Sequence, residues 1–262
     1  LVERNIAINK ALEMVKLAEE AGIPLRIIGA VAIYIHSPNH AYIHESLKRE
    51  ISDVDFISYR KYWKQIKELF KDNKWDEPAA YMMAVADRNI FVSKEYEGLH
   101  SDVFYDKLSF CHDIPFEGRL EKDYPTIPLA ELLLEKMQIV KINEKDIIDT
   151  IVLLAEHDVG ESDKETININ VIAKLLAKDW GFYYTVTTNL KKVDEFLSSY
   201  NIPENDKKDV KMRIEKLIDA IEKEPKSMAW KIRAKVGPSK KWYRDYIEEV
   251  SRPVSGFKYE EV

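Results

Sequence analysis

Apolar residues recur near helical spacing over residues 2–21, where Ile6, Ile8, Ala11, Leu12, Val15, Leu17 and Ala18 predict an amphipathic helix stopped by Gly22-Ile-Pro24. The pattern then shortens. Leu25–Ile28 is a continuous, partly β-branched apolar run that reads as a buried strand, and Gly29 begins a turn into a second apolar helix from Val31 to about His36, ended by Pro38. Residues 39–50 are polar and without period, which predicts an irregular loop. Ile51–Tyr59 reads as a strand and Tyr62–Phe70 as a helix. Asp87–Ser93 and Leu99–Tyr105 have strand composition on either side of a Glu95–Gly98 turn, predicting a β-hairpin. Between Ser109 and Pro128 the prolines 115, 125 and 128 leave little periodicity. From Leu129 onward helical spacing dominates, over 129–143, 145–157, 168–178, 182–200, 204–223 and 226–236, with a last helix near 239–250.

This order predicts an α+β chain: a small mixed β-sheet flanked by helices within residues 1–125, then an all-α domain over 126–262. With 45% hydrophobic residues the chain can build a substantial core. The net charge of -6 is spread so that neither half is basic, so a polynucleotide partner would need a local patch rather than a global field. Cys111 is the only cysteine, which excludes an internal disulfide framework and a multi-cysteine zinc site and fits a reducing, cytoplasmic setting. No apolar run approaches the roughly 18–20 residues of a spanning helix, so no membrane partner is expected, and the N-terminal segment carries acids, unlike a secretory leader.

The chemistry concentrates in Asp53-Val-Asp55-Phe56. Residues i and i+2 of a strand share a face, so both carboxylates can grip one divalent cation. Asp102, inside His100-Ser-Asp102-Val-Phe104, supplies a third acid on the second hairpin strand. Three carboxylates suit hard, oxygen-seeking Mg²⁺ or Mn²⁺, and the Gly29 turn at a helix start offers backbone N–H groups to a phosphate. Such a set fits metal-assisted phosphoryl chemistry, with Asp53 and Asp55 as metal ligands and Asp102 completing the site and orienting or deprotonating an acceptor hydroxyl.

In order, these elements are an apolar strand, Gly29-Ala30, Ala32, His36, Arg49-Glu-Ile-Ser52-Asp53-Val-Asp55-Phe and Asp102-Val-Phe. The order resembles the nucleotidyltransferase superfamily, whose best-known members include DNA polymerase β, and within it the group related to AbiEii-type toxins. Leu132-Leu-Leu-Glu-Lys136-Met-Gln-Ile-Val-Lys141-Ile-Asn-Glu-Lys145-Asp146-Ile-Ile-Asp149 is similar to the helical motif that follows the catalytic sheet in that group. The resemblance covers about residues 25–190. It implies Mg²⁺-dependent transfer of a nucleoside monophosphate from an NTP to a hydroxyl of a small molecule, an RNA end or a protein, with pyrophosphate released. It further implies phosphate contacts from Gly29, Ala30, Arg49 and Ser52, a triphosphate contact from Lys136 or Lys145, and an antitoxin partner in a toxin–antitoxin setting. Ala30 stands where the family usually has a second Gly or a Ser, so a hydroxyl contact to phosphate is lost while the backbone N–H remains. The stretch from Gly29 to Asp53 is longer than in minimal members, which places an inserted loop at 37–48 near the site.

Plainer readings stand beside these. Arg49 and Ser52 can pair with acids and cap the strand, Lys141 can form surface ion pairs, and Asp146 and Asp149 can tie their helix to its neighbours. His36, His100 and His112 are too dispersed for a zinc pattern and read as packed residues, as Cys111 reads as a buried thiol. Residues 226–252 carry eight basic residues against three acids, interleaved with Trp230, Trp242, Tyr243 and Tyr246. This mixture reads first as amphipathic helices with aromatics in the core, and second as an RNA-binding surface. Two alternatives to an enzyme follow: a catalytically degraded binding or regulatory protein, prompted by Ala30, and an RNA-binding protein using the C-terminal helices.

Overall fold

Helix α1 (Arg4–Glu20) forms where its periodicity places it, but on a narrower face, with Ala7, Ala11, Met14, Val15 and Ala18 buried and Leu12 36% exposed. Its end is closed by Gly22, at φ 71°, which lets the Ile23 N–H reach back to the Ala18 carbonyl (2.8 Å). The chain then enters the sheet. This computed structural model describes residues 4–49, 51, 53–78 and 88–245.

Strands β1 (Arg26–Ile28), β2 (Asp55–Ser58), β3 (Trp75–Asp76), β4 (Arg88–Ser93) and β5 (His100–Tyr105) form one sheet in the order β1-β2-β5-β4-β3. Only the central pair β2–β5 is parallel, in register Phe56↔Val103, and the other pairings are antiparallel. The mixed sheet and the hairpin agree with the sequence pattern, although Asp87 lies outside the described residues. One face of the sheet is aromatic. Helix α4 (Trp63–Asp72), entered through a 3-10 turn at Arg60–Tyr62, places Phe70 against Phe91 (ring centroids 4.2 Å apart), Trp75 (5.7 Å) and Phe56 (5.8 Å). Alternation therefore sends Asp55 and Asp102 to the opposite face, where α2 (Gly29–His36) starts.

Several local expectations are corrected. The polar stretch 39–50 is not irregular: it holds a short helix α3 (Ala41–Ser46), which packs on α6 (Glu144–Glu156) through buried Ile43 and His44. Its entry is clamped by Glu156, whose carboxylate accepts from the Asn39 and His40 backbone N–H groups (3.1 and 3.0 Å). The proline-rich stretch after Tyr105 contains a small antiparallel pair, β6 (Lys107–Ser109) with β7 (Asp113–Pro115). The second half is not all helix, since β8 (Val159–Gly160) pairs in parallel with β9 (Ile167–Asn168).

The remaining helices are α5 (Leu129–Met137), α7 (Ile169–Leu176), α8 (Trp180–Leu197), α9 (Glu204–Lys223) and α10 (Met228–Val236). Side-chain caps set several starts: Asn143 accepts from Asp146 N–H, Asp179 from Gly181 and Phe182, and Ser227 from Trp230. The helix expected near 239–250 is instead a 3-10 turn at Gly237–Ser239 followed by non-helical chain to Asp245, with the rest outside the described residues. No helix among the described residues is long and apolar enough to cross a membrane.

The chain near residue 125 is tied to the sheet. Ile27 N–H donates to the Pro125 carbonyl (3.0 Å) and Ile127 N–H to the Ile27 carbonyl (3.2 Å), so this segment lies along the outer edge of β1. One cluster of buried side chains runs from Ala7 to Ile221, through both halves. Every residue of α5 is buried, and α5 and α6 pack on α2. That packing brings the second half of the chain onto the face of the sheet that carries the acids.

Candidate active site

Asp55 opens β2, opposite Ile28 on one side, and the register of β2 with β5 makes Asp102 its neighbour on the other. The contact is direct: Asp102 N–H donates to Asp55 Oδ1 (3.2 Å). Asp53 lies two residues earlier, in a parallel bridge with His100, and so shares the Asp55 face. Asp102 turns its carboxylate toward Arg88 Nε (3.1 Å), a cation supplied by β4. Burial first, and then the negative charges of Asp53, Asp102 and Glu135, push the Asp55 carboxyl well above the usual range. The three acids are therefore one electrostatic unit. As arranged, no three His, Cys, Asp or Glu side chains among the described residues converge closely enough to hold a metal ion.

Gly29 stands beside this unit. Its φ of 72° belongs to the left-handed region that glycine tolerates, and it begins α2 directly after Ile28, whose side chain cannot cap the helix. A Cβ on Gly29 would lie 3.7 Å from Asp55 Oδ2 and 3.7 Å from Glu135 Oε1, so backbone conformation, more than space, demands glycine here. The Gly29 N–H is already occupied, donating to Glu135 Oε2 at 3.1 Å. Ala30 is half-buried and packs against the core.

A second charged group lies between α3, α5 and α6, centred on Asp149. Its fully buried carboxylate receives Arg49 Nε (3.0 Å) and Nη2 (2.9 Å), Lys136 Nζ (3.1 Å) and His44 Nε2 (3.2 Å). Lys136 also reaches Asp146 (3.4 Å). Burial opposes charge on Asp149, but Arg49 and Lys136 outweigh it and hold its carboxyl far below the usual range. Burial likewise opposes charge on Lys136, and Asp149, Asp146 and Glu135 outweigh it, raising the ammonium above its usual range. Arg49 is raised too, against burial, by Asp149 first and then by Asp146 and Asp53, which links this group to the acid face.

The predicted residues thus separate. The structure brings Asp53, Asp55, Asp102 and Gly29 together, and sets Arg49 and Lys136 in the adjoining charged group as partners of Asp149. Asp146 and Asp149 tie their helix to its neighbours, as their plainer reading held. Lys145 does not join: it is exposed and enters none of these pairs. Ser52 lies outside the described residues. Glu135 was absent from the predicted set. Its signal was available in Leu132-Leu-Leu-Glu135-Lys136-Met, where two adjacent charges interrupt a segment apolar enough to be buried all round. Burial pushes its carboxyl up to about 7, against the opposing pull of Lys136 and the Gly29 N–H.

Of the C-terminal aromatics, Trp230, Trp242 and Tyr243 are engaged in packing, and Tyr246 lies outside the described residues. Trp180 stacks on Tyr184 (5.1 Å), Tyr184 meets the Trp242 edge (5.1 Å), Trp230 packs on Tyr183 (5.0 Å), and the Arg233 guanidinium lies over Trp180 (4.5 Å). His112 is stacked on Phe182 and hydrogen-bonded to Thr185, and Cys111 is buried. Cavities of about 360 Å³ beside Cys111 and Trp242 and about 440 Å³ beside His36 and Asp163 are not lined by Asp53, Asp55 or Asp102. Comparison of the chain with protein-family models, with curated proteins and with solved structures found no match.

Chemically, the acid face offers only oxygen donors, and the Asp149 group adjoins it with two buried cations. Hard divalent cations and polyphosphates are the ligands suited to that combination.

Proposed function

We propose that the chain is a metal-dependent nucleotidyltransferase, carrying the nucleotidyltransferase fold and moving a nucleoside monophosphate from an NTP to a hydroxyl acceptor. The observation that carries this reading is the row Asp53, Asp55, Asp102 on one face of the parallel strand pair, with Asp55 beside the start of α2. Asp53 and Asp55 would hold Mg²⁺ or Mn²⁺. The donor chemistry suits such an ion, since every donor is oxygen and a bound cation would offset both the burial and the neighbouring charges that raise Asp55. To hold it, the three carboxylates would have to draw closer together than they stand here. When bound, the ion would neutralise charge building up on the phosphate oxygens.

The chain's own groups do the rest. Asp102, ion-paired with Arg88, orients the acceptor hydroxyl and takes its proton as the oxygen attacks the α-phosphorus. The bond to the β-phosphate oxygen breaks and pyrophosphate leaves. The Gly29 and Ala30 backbone N–H groups face the triphosphate, while Arg49 and Lys136, held charged by Asp149, supply positive field to it. Isothermal titration of Mg²⁺ and each NTP into the protein and into Asp53→Asn/Asp55→Asn tests this. Metal-dependent nucleotide binding that falls at least on the order of 100-fold in the variant is expected. Absence of such binding in the unsubstituted protein overturns the reading. Binding without label transfer from an α-labelled NTP would leave a nucleotide-binding regulator, and steeply salt-dependent tRNA binding that survives the double substitution would favour RNA recognition.

A further inference from the structure

We propose that the Glu135 carboxylate is a built-in occupant of the phosphate position at the start of α2, which an incoming triphosphate must displace. The inference rests on the nucleotidyl-transfer reading and adds a residue that governs nucleotide affinity.

Three observations carry it. The Gly29 N–H, the group best placed to meet a phosphate oxygen, donates to Glu135 Oε2 at 3.1 Å, and Oε1 lies 3.7 Å from where a Gly29 Cβ would be. Asp55 Oδ2 stands at the same 3.7 Å, so two acids from distant parts of the chain flank one backbone position. Among the described residues no cation forms an ion pair with Glu135, because its neighbour Lys136 turns to Asp149 (3.1 Å) and Asp146 (3.4 Å) instead.

A purely structural cap would not look like this. A neutral Ser or Asn at the helix start satisfies such an N–H without burying a charge, whereas a buried carboxylate with no ion-paired side chain, only the nearby field of Lys136, is costly. Glu131, one turn earlier on α5, shows the compensated alternative: its carboxylate is paired with Arg119. Because α5 is buried on every side, packing holds Glu135 in place. A carboxylate presents two anionic oxygens, as a phosphate does, and both cannot accept from one N–H or share the field of Asp55. Nucleotide therefore binds against Glu135, and affinity is set by how readily that side chain yields.

The test uses the full chain with Mg²⁺ and two probes, inorganic tripolyphosphate and the NTP bound most tightly by the unsubstituted protein. Glu135→Gln keeps shape and an accepting oxygen but removes the charge, Glu135→Ala removes the occupant, and Glu131→Gln serves as a control on the same helix. Both Glu135 variants should bind both probes on the order of tenfold more tightly, with Glu131→Gln unchanged. Thermal melting of each variant reports any structural loss separately. If the unsubstituted protein binds nucleotide through Asp53 and Asp55 but Glu135→Gln binds no more tightly, the occupant role is wrong and the nucleotidyl-transfer reading stands. If neither the unsubstituted protein nor any variant binds nucleotide, that reading fails and takes the inference with it. Tighter binding by Glu135→Gln alone, with the alanine variant melting early, still supports the proposal.

Discussion

The two charged regions of this molecule, the acid face at Gly29 and the group around Asp149, are built on opposite principles. Asp149 is wholly buried, yet Arg49, Lys136 and His44 surround it, so every charge has an answer. On the acid face Asp102 pairs with Arg88, yet Asp55 is raised by its burial and by the charges of Asp53, Asp102 and Glu135. A balanced buried network holds elements together, and an unbalanced one stores repulsion that a ligand of opposite sign can relieve. On the proposed reading the first region holds elements together and lends its cations' field to the phosphates, while the second would carry the chemistry.

Breaking the balanced region should have the largest effect. Asp149→Ala leaves Arg49 and Lys136 buried without their shared partner and should lower unfolding free energy by about 3–5 kcal/mol, read by urea denaturation. A loss below about 1 kcal/mol would mean that the group is hydrated and adds little.

The two regions respond to pH with opposite sign. Glu135 is raised to about 7, so between its ordinary value and 7 the folded protein binds more protons than the unfolded chain, and stability falls as pH rises through that window. Asp149 is lowered, so its contribution is complete above the ordinary carboxylate range and is lost as pH falls through and below it. His112, lowered to about 4 by burial, also loses stability as pH falls from about 6.5 toward 4. The difference between the protein and Glu135→Gln isolates the first effect: the variant should gain about 2 kcal/mol relative to the parent between pH 5 and pH 8. Parallel stability curves would show that Glu135 titrates normally.

A smaller effect, of inverted sign, is expected from Asp55→Asn. Removing one of the crowded carboxylates while keeping an oxygen for the Asp102 N–H should stabilise the fold by about 1 kcal/mol as metal-dependent binding disappears. Destabilisation would place Asp55 among structural groups. Smallest of all is Lys223→Ala, which deletes an exposed pair with Asp219 on α9 and should change stability by less than about 0.5 kcal/mol in thermal melts.

Much of the fold was legible because its signals are local. Helical spacing located α9 to the residue, Glu204–Lys223, and the strand–turn–strand composition located β4 and β5. The errors came where tertiary context overrides local preference. α3 is a polar six-residue helix that exists against α6, and the pairing of β8 with β9 joins segments too short to show a period. Caps moved helix starts by a residue or two, as at Asp179.

The site divides in the same way. That Asp53 and Asp55 share a face is legible in the sequence, because strand alternation is a property of the backbone, as is the place of Gly29 at a strand-to-helix turn. The sequence favoured Lys136 only so far as it interrupts an apolar run, and could not say which partner Lys136 or Lys145 would meet, since that depends on what packs against each helix face. The folded chain alone makes Asp102 the neighbour of Asp55, through the parallel register of strands 47 residues apart. Only it could bring Glu135 across 106 residues of chain to the Gly29 N–H. Those contacts follow from which buried surfaces fit together, a choice made by the whole core at once and written in no short stretch of sequence.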